Sequence, residues 1–119
     1  MANSITSLDT AFHALADPTR RAVVARLIDG PASVTELAQP FSIGLPTFMK
    51  HLKVLEASGL IGSGKTGRVR TCHLEPARLA SAEAWLAKQR SLWERRTDRL
   101  ADYVENQICK DEENENRKL

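Results

Sequence analysis

The sequence predicts a mainly α-helical domain that carries one small β-hairpin. The strongest helical signal lies in Gly44–Leu60, where three apolar residues fall at i, i+4 and i+7 and therefore share one face that points into a core. These residues are Phe48, Leu52 and Leu55. Gly59 follows them, at the place where a left-handed helix cap costs least. The next stretch, Leu60–Leu74, has strand-forming ends around a Gly/Lys/Thr/Gly tip and is typical of a hairpin.

Two helices are predicted at the start of the chain. The first covers Asn3–Leu15, whose apolar residues have helical spacing. Asp17-Pro18 starts the second, because aspartate is a favoured N-cap and a proline in the first helical position has no N–H to satisfy. The apolar face of this second helix is formed by Val23, Val24, Leu27 and Ile28.

A short helix, a tight turn and a longer helix follow one another between Ser33 and Leu60. Ser33–Glu36 fits the reciprocal capping box that opens a short helix, and Pro40 ends it. The turn Phe41–Gly44 leads into the helix described above. This order is a helix-turn-helix, and the hairpin that follows makes it a winged helix-turn-helix, with strands predicted at 60–61 and 69–74.

A long helix is predicted from Ala77 to Ile108. Its apolar and aromatic stripe is too wide for a lone helix in water, so it packs either on the first helix of the same chain or on a second subunit. The length of the helix favours the second subunit. The candidate interface residues on this helix are Trp85, Leu92, Trp93 and Leu100. Packing is the favoured role of Trp85 and Trp93, and the lining of an inducer pocket is the alternative.

Charge is concentrated although the net charge is only +2. Residues 44–71 carry five cationic side chains against one acid, an excess of four, and residues 102–119 carry six acids against three cations. A helix with outward cations, followed by a cationic hairpin, is how a small domain grips a duplex. We therefore assign residues 1–108 to one DNA-binding and dimerisation domain, and 109–119 to a polar tail that should fray.

Several classes of protein are disfavoured. The chain has no apolar run that could span a bilayer and no secretory signal, so a cytoplasmic location is predicted. No phosphate loop, nucleophile constellation or carboxylate pair indicates an enzyme. The two cysteines, Cys72 and Cys109, are far apart in sequence and lack metal-type spacing.

Four phrases of the sequence resemble the ArsR/SmtB family of winged-helix repressors. They are Leu15–Arg20 (LADPTR), Ser33–Ala38 (SVTELA), Lys50–Glu56 (KHLKVLE) and Ser58–Ile61 (SGLI), and Gly67-Arg68 before a strand matches the family's wing. The resemblance implies a homodimeric, sequence-specific DNA-binding repressor that binds a palindromic operator in double-stranded DNA. It also implies that the dimer is joined through the first and last helices, which adds Leu8 and Phe12 to the predicted interface. It further implies that an inducer, often a metal ion in this family, releases the repressor from DNA. For this chain the possible inducer is a small molecule of unknown identity.

The chain departs from the family at the metal sites and in the recognition helix. The family's CxC phrase falls on Ser33–Thr35, which has no thiol, and residues 77–108 contain no histidine. No metal site and no cofactor are therefore predicted. Many members have serine where this chain has Gly44 and Met49, and methionine can offer only apolar contact.

The predicted DNA-binding residues are Thr47, Lys50, His51, Lys53, Arg68 and Arg70. Lysine can donate to guanine acceptors, and threonine can meet a thymine methyl or a phosphate. His51 is either a phosphate donor or a packed structural histidine. Two alternatives to this function remain open: a winged-helix interaction module without DNA binding, and a repressor that senses redox state through Cys72 and Cys109.

Overall fold

The structure, a computed structural model, describes the backbone of residues 2–118 and the side chains of residues 7–115. Within these residues the predicted class is confirmed, because helices dominate and one small antiparallel sheet accompanies them. The elements are α1 (Ala2–Leu15), α2 (Pro18–Leu27), β1 (Ala32–Ser33), α3 (Val34–Ala38), α4 (Leu45–Ser58), β2 (Ile61–Thr66), β3 (Val69–Leu74) and α5 (Pro76–Lys118).

The chain divides into two compact units. Unit 1, Met1–Glu83, contains the elements from α1 to β3 and the first turns of α5. Unit 2, Ala84–Leu119, is the remainder of α5. The predicted end of the last helix at Ile108 is too early, because α5 continues to Lys118. The final turns of α5 contain several Glu and Lys residues, which have a high helix propensity. They lack the apolar periodicity from which the end of the helix was predicted.

The core of unit 1 is formed around α4. Phe48, Leu52 and Leu55 are fully buried, as their spacing predicts. They pack in one cluster with buried residues of α2, α3 and the sheet: Val23, Val24, Leu27, Leu37, Leu60, Ile61 and Cys72. Ile28 was wrongly predicted on the buried face of α2, because this helix ends at Leu27 and the Ile28 side chain is exposed.

The helix ends follow the predicted capping residues. The Asp17 carboxylate accepts the Arg20 N–H at 3.0 Å at the start of α2. At the start of α3, Ser33 Oγ accepts the Glu36 N–H at 3.1 Å. The same hydroxyl donates to Glu36 Oε1 at 3.2 Å, so the Glu36 side chain bonds to the Ser33 hydroxyl instead of the Ser33 backbone N–H. Gly59 ends α4 with φ of 78°, the left-handed conformation that glycine adopts without strain.

The sheet has the order β1-β3-β2, with both pairs antiparallel. Strand β3 begins at Val69 as predicted, and β2 is longer than predicted because its outer half is exposed and has no apolar pattern. Ala32 pairs with Cys72 in β1, which is too short to give a sequence signal. The hairpin closes through Gly67 and Arg68 between the paired residues Thr66 and Val69, and Gly67 has φ of 64°.

Candidate nucleic-acid interface

The outward face of α4 carries three of the predicted residues. Because Phe48 and Leu52 point into the core, Thr47, Lys50 and Lys53 fall on the other side of the helix, and all three are exposed. The helix begins at Leu45 after Gly44, whose extended backbone forms the N-cap without a side-chain hydrogen bond. The first three residues of the helix, Leu45, Pro46 and Thr47, are all exposed.

The cations of the hairpin differ in the direction in which they point. Arg68 occupies the two-residue turn, and Lys65 lies in the last part of β2; both are exposed. Arg70 lies opposite Lys65 in the sheet, but its guanidinium turns back toward α4.

Arg70, Glu56 and Ser63 form a cluster that we call the wing latch. Arg70 Nη2 lies 3.4 Å from Glu56 Oε2, and Arg70 Nε donates to Ser63 Oγ at 3.1 Å. Ser63 Oγ in turn donates to Glu56 Oε1 at 2.7 Å. The latch joins β2 and β3 to the last turn of α4, so the wing is fixed to the helix, and the charge of Arg70 is partly neutralised.

A groove of about 350 Å³ lies between α4 and the wing latch. Its lining is mainly apolar along α4 and charged at the rim. The lining residues are Pro46, Met49, Lys50, Leu52, Lys53, Glu56 and Arg70.

His51 belongs to a second cluster, centred on Arg20. Arg20 Nε donates to the Ala14 carbonyl at 2.7 Å, and Nη2 donates to the His13 carbonyl at 3.0 Å. Arg20 Nη1 lies 3.2 Å from His51 Nδ1, and since a guanidinium has no acceptor, Nδ1 accepts this bond. Asp17 Oδ2 lies 3.8 Å from the same ring nitrogen.

This cluster links α1, α2 and α4. The geometry favours the structural alternative for His51, whose side chain is only 20% exposed. A hydrogen bond from the Arg20 backbone N–H is the main cause that holds the pKa of Asp17 below its ordinary value. Sequence reasoning missed the role of Arg20, because the only local signal is its position three residues after the N-cap.

The predicted dimer residues lie in both units. Leu8 and Phe12 of α1 are partly buried in unit 1. In unit 2, the apolar side chains of α5 are exposed. Their exposed fractions are 45% for Trp85, 47% for Leu92, 66% for Trp93 and 62% for Leu100.

The cysteines and histidines do not converge on a site in the described part of the chain. No three His, Cys, Asp or Glu side chains between residues 7 and 115 are grouped so that they could hold a metal ion. His73 pairs with Glu75 at 2.7 Å, and Cys72 is buried in the core, where burial raises the pKa of its thiol. Among the described helices, none combines the length and apolarity needed to cross a membrane.

The chain is similar in sequence to known helix-turn-helix proteins. A family model described as a helix-turn-helix domain matches residues 15–62. HTH-type transcriptional regulator Rv2034 of Mycobacterium tuberculosis is 37% identical over 101 residues, which are 85% of this chain and 92% of Rv2034.

Solved structures agree with the architecture. The ArsR family transcriptional regulator RHA00566 has 58% sequence identity and a TM-score of 0.71, covering 74% of this chain and 97% of that one. The homodimeric winged helix-turn-helix DNA-binding domain Mb0332 of Mycobacterium bovis has a TM-score of 0.61 over 76% of this chain and 86% of its own. At 20% identity, that second likeness concerns the fold alone.

Proposed function

The chain belongs to the ArsR family of transcriptional regulators, and from this premise we propose that it is a cytoplasmic, homodimeric repressor of a palindromic operator. As a member of this family it regulates transcription and is not an enzyme. One observation carries the proposal: a set of exposed cations on α4 and the wing that form no ion pair with any other described residue. They are Lys50, Lys53, Lys65 and Arg68.

In the proposed complex, the first turns of α4 enter the major groove. Thr47 and Lys50 contact base edges or phosphates there, and Lys53 contacts the backbone. Arg68 reaches the neighbouring minor groove or its phosphates from the wing tip. Arg70 and His51 act indirectly, because their polar atoms are directed to Glu56 and Arg20.

The exposed apolar side chains of unit 2 support a homodimer. Trp93 and Leu100 are seven residues apart and lie on nearly the same helical face. The charges of α5 are also segregated, with five cations and two acids in residues 88–99 and six acids and one cation in residues 102–115. Two antiparallel copies would set the basic half of each helix against the acidic half of the other. Such a dimer would hold two recognition helices roughly 34 Å apart, one turn of DNA.

We further propose that the protein does not respond to metal at the family's known sites, and that a small molecule is the inducer if one is used. Ser33–Thr35 offers hydroxyls where soft-metal binding needs thiolates, and α5 between residues 77 and 108 offers no imidazole. A thiol sensor at Cys72 is disfavoured, because its side chain is inaccessible and its raised pKa suppresses the reactive thiolate.

The proposal predicts a salt-dependent loss of DNA binding in the double variant Lys50→Ala, Arg68→Ala. Operator affinity should fall by at least about tenfold at low salt, because each protomer loses two cations that displace counterions from phosphate. The slope of log K against log salt should become shallower by about 3.6, which is 0.9 for each of four contacts in the dimer. Fluorescence anisotropy with DNA from upstream of the protein's own coding region measures both quantities.

A matched control separates this effect from net charge. The double variant Arg21→Ala, Arg26→Ala removes the same charge from α2 and should leave affinity within about twofold, because these exposed cations lie outside α4, the wing and the proposed dimer interface. Wild-type binding to the upstream fragment that is no tighter than to random duplex would contradict a promoter-proximal operator. Absence of duplex binding at every salt concentration would favour the interaction module.

A substitution in the wing latch is expected to strengthen DNA binding. Glu56→Gln should tighten binding to duplex DNA and steepen the salt slope by roughly 1.8, because it removes an acid from the interface and frees Arg70 in each protomer. Glutamine still accepts the hydrogen bond from Ser63. Asp9→Asn, the same charge change on the exposed surface of α1, should have no such effect. Weaker binding by the Glu56→Gln variant would mean that fixing the wing matters more than freeing the cation.

A further inference from the structure

The start of α4, which the proposed function places against DNA, carries several apolar side chains. Leu45, the first residue of the helix, is 57% exposed. Pro46 is exposed beside it, and Met49 lies one turn further along and is partly buried. None of these three side chains has a nitrogen or oxygen atom. In this part of the helix, Thr47 and Lys50 are the described outward side chains that can donate a hydrogen bond.

Two of these apolar side chains, Pro46 and Met49, line the groove between α4 and the wing latch, together with Lys50 and Lys53. The other charged residues of its lining, Glu56 and Arg70, pair with each other, so the unpaired charge in the lining is cationic. Neither lysine forms an ion pair with another described residue. The occupant must therefore combine apolar groups with neighbouring negative charge. A duplex meets this condition, because thymine methyl groups project into the major groove between two rows of phosphates.

We propose that Leu45, Pro46 and Met49 form an apolar reading surface that recognises the C5-methyl groups of thymine in each half-site of the operator. This inference rests on the proposed DNA-binding function and adds the class of base pair that the helix selects. Apolar side chains can distinguish thymine from cytosine by its methyl group, whereas they cannot bond to the guanine acceptors. Lys50 and Lys53 hold the phosphates on either side and contribute affinity that is independent of sequence.

The test replaces thymine by deoxyuridine, which removes only the methyl group. An operator is selected from a random duplex library with the full-length protein, and each symmetric pair of thymines is then replaced by deoxyuridine. We expect affinity to fall about fourfold per contacted methyl, and about sixteenfold for a symmetric pair, which corresponds to removing one buried methyl from each half-site. Replacement with 5-bromodeoxyuridine, whose bromine has nearly the size of a methyl group, should restore affinity.

Protein variants assign the effect to the reading surface. Met49→Ala should lose the discrimination between thymine and uracil at one position. Met49 also packs against the core, so its replacement could disturb the fold of unit 1. Leu45→Ala is the second variant, because the Leu45 side chain is exposed and its loss does not affect that packing. Val69→Thr, which changes an exposed apolar residue on β3 without changing its shape, is the matched control and should retain full discrimination.

The outcomes separate this inference from the proposed function. A uracil penalty that disappears in Leu45→Ala or Met49→Ala supports the reading surface. Tight, salt-dependent operator binding without a penalty at any thymine overturns it and leaves the repressor function intact. A penalty that persists in both variants also overturns it, because the methyl group would then act through DNA shape. Failure to select any duplex overturns the repressor proposal itself.

Discussion

Replacing Trp93 by glutamate is expected to convert the dimer into monomers and to weaken operator binding by at least about a hundredfold, the result of losing a central aromatic contact in both subunits. Trp93 is 66% exposed in the single chain, and the proposed interface would bury it. Truncation of a buried interfacial tryptophan typically costs about 2–4 kcal/mol. A carboxylate placed there without a partner adds a desolvation penalty. Because the proposed interface has two-fold symmetry, the dimer loses the tryptophan contact twice and buries two unpaired carboxylates.

The loss of affinity follows from the loss of linkage between half-sites. A dimer binds the second half-site at the high effective concentration set by the first, whereas a monomer binds each half-site independently. Sedimentation equilibrium measures the assembly state, and fluorescence anisotropy measures operator affinity on the same sample.

Ser91→Glu is the matched control for this prediction. Ser91 is exposed on the same helix, two residues and therefore about 200° away from Trp93, and the substitution adds the same charge. It should remain dimeric and bind normally. If the Trp93→Glu variant stays dimeric at micromolar concentration, the apolar stripe of unit 2 is not the interface, and the four predicted dimer residues of unit 2 would have to be reassigned.

The parts of the fold that could be predicted are those encoded by local pattern. The burial of Phe48, Leu52 and Leu55 follows from helical spacing, and the left-handed Gly59 follows from its place after the last periodic residue. The sequence also indicated which cations point outward, because the opposite face of α4 had already been assigned to the core. For the same reason, the exposed positions of Thr47 and Lys50 needed no tertiary information.

The parts that could not be predicted depend on contacts between distant residues. Arg70 and Glu56 are fourteen residues apart and Arg20 and His51 are thirty-one apart, so no spacing rule connects either pair. Arg70 and His51 were each predicted from residue type to face DNA. In the structure, the Arg70 guanidinium and His51 Nδ1 are used inside the protein. Residue chemistry therefore selects candidate residues, and tertiary pairing decides which of them remain available to a ligand.

Arg20→Met is expected to lower the free energy of unfolding by about 2–4 kcal/mol, because it removes three hydrogen bonds and leaves two partly buried acceptors, the Ala14 carbonyl and His51 Nδ1, without their donor. The Ala14 carbonyl lies in the last turn of α1, where the helix itself supplies no donor, whereas the His13 carbonyl still accepts the Ala16 N–H at 3.2 Å. His51 Nδ1 lies on α4. For a chain of this length, the loss corresponds to a fall in melting temperature of roughly 6–15 °C.

Arg21→Met is the control, because the neighbouring side chain makes a single exposed bond, to the Leu15 carbonyl at 2.8 Å. It should cost less than about 1 kcal/mol. Arg20→Lys should be intermediate, because one ammonium group cannot reach acceptors that a planar guanidinium bonds from three nitrogens. Urea unfolding monitored by circular dichroism measures all three variants. If Arg20→Met and Arg21→Met are equally stable, Arg20 does not tie α1 to α4. In that case His51 is free of a structural role and returns as a candidate phosphate donor.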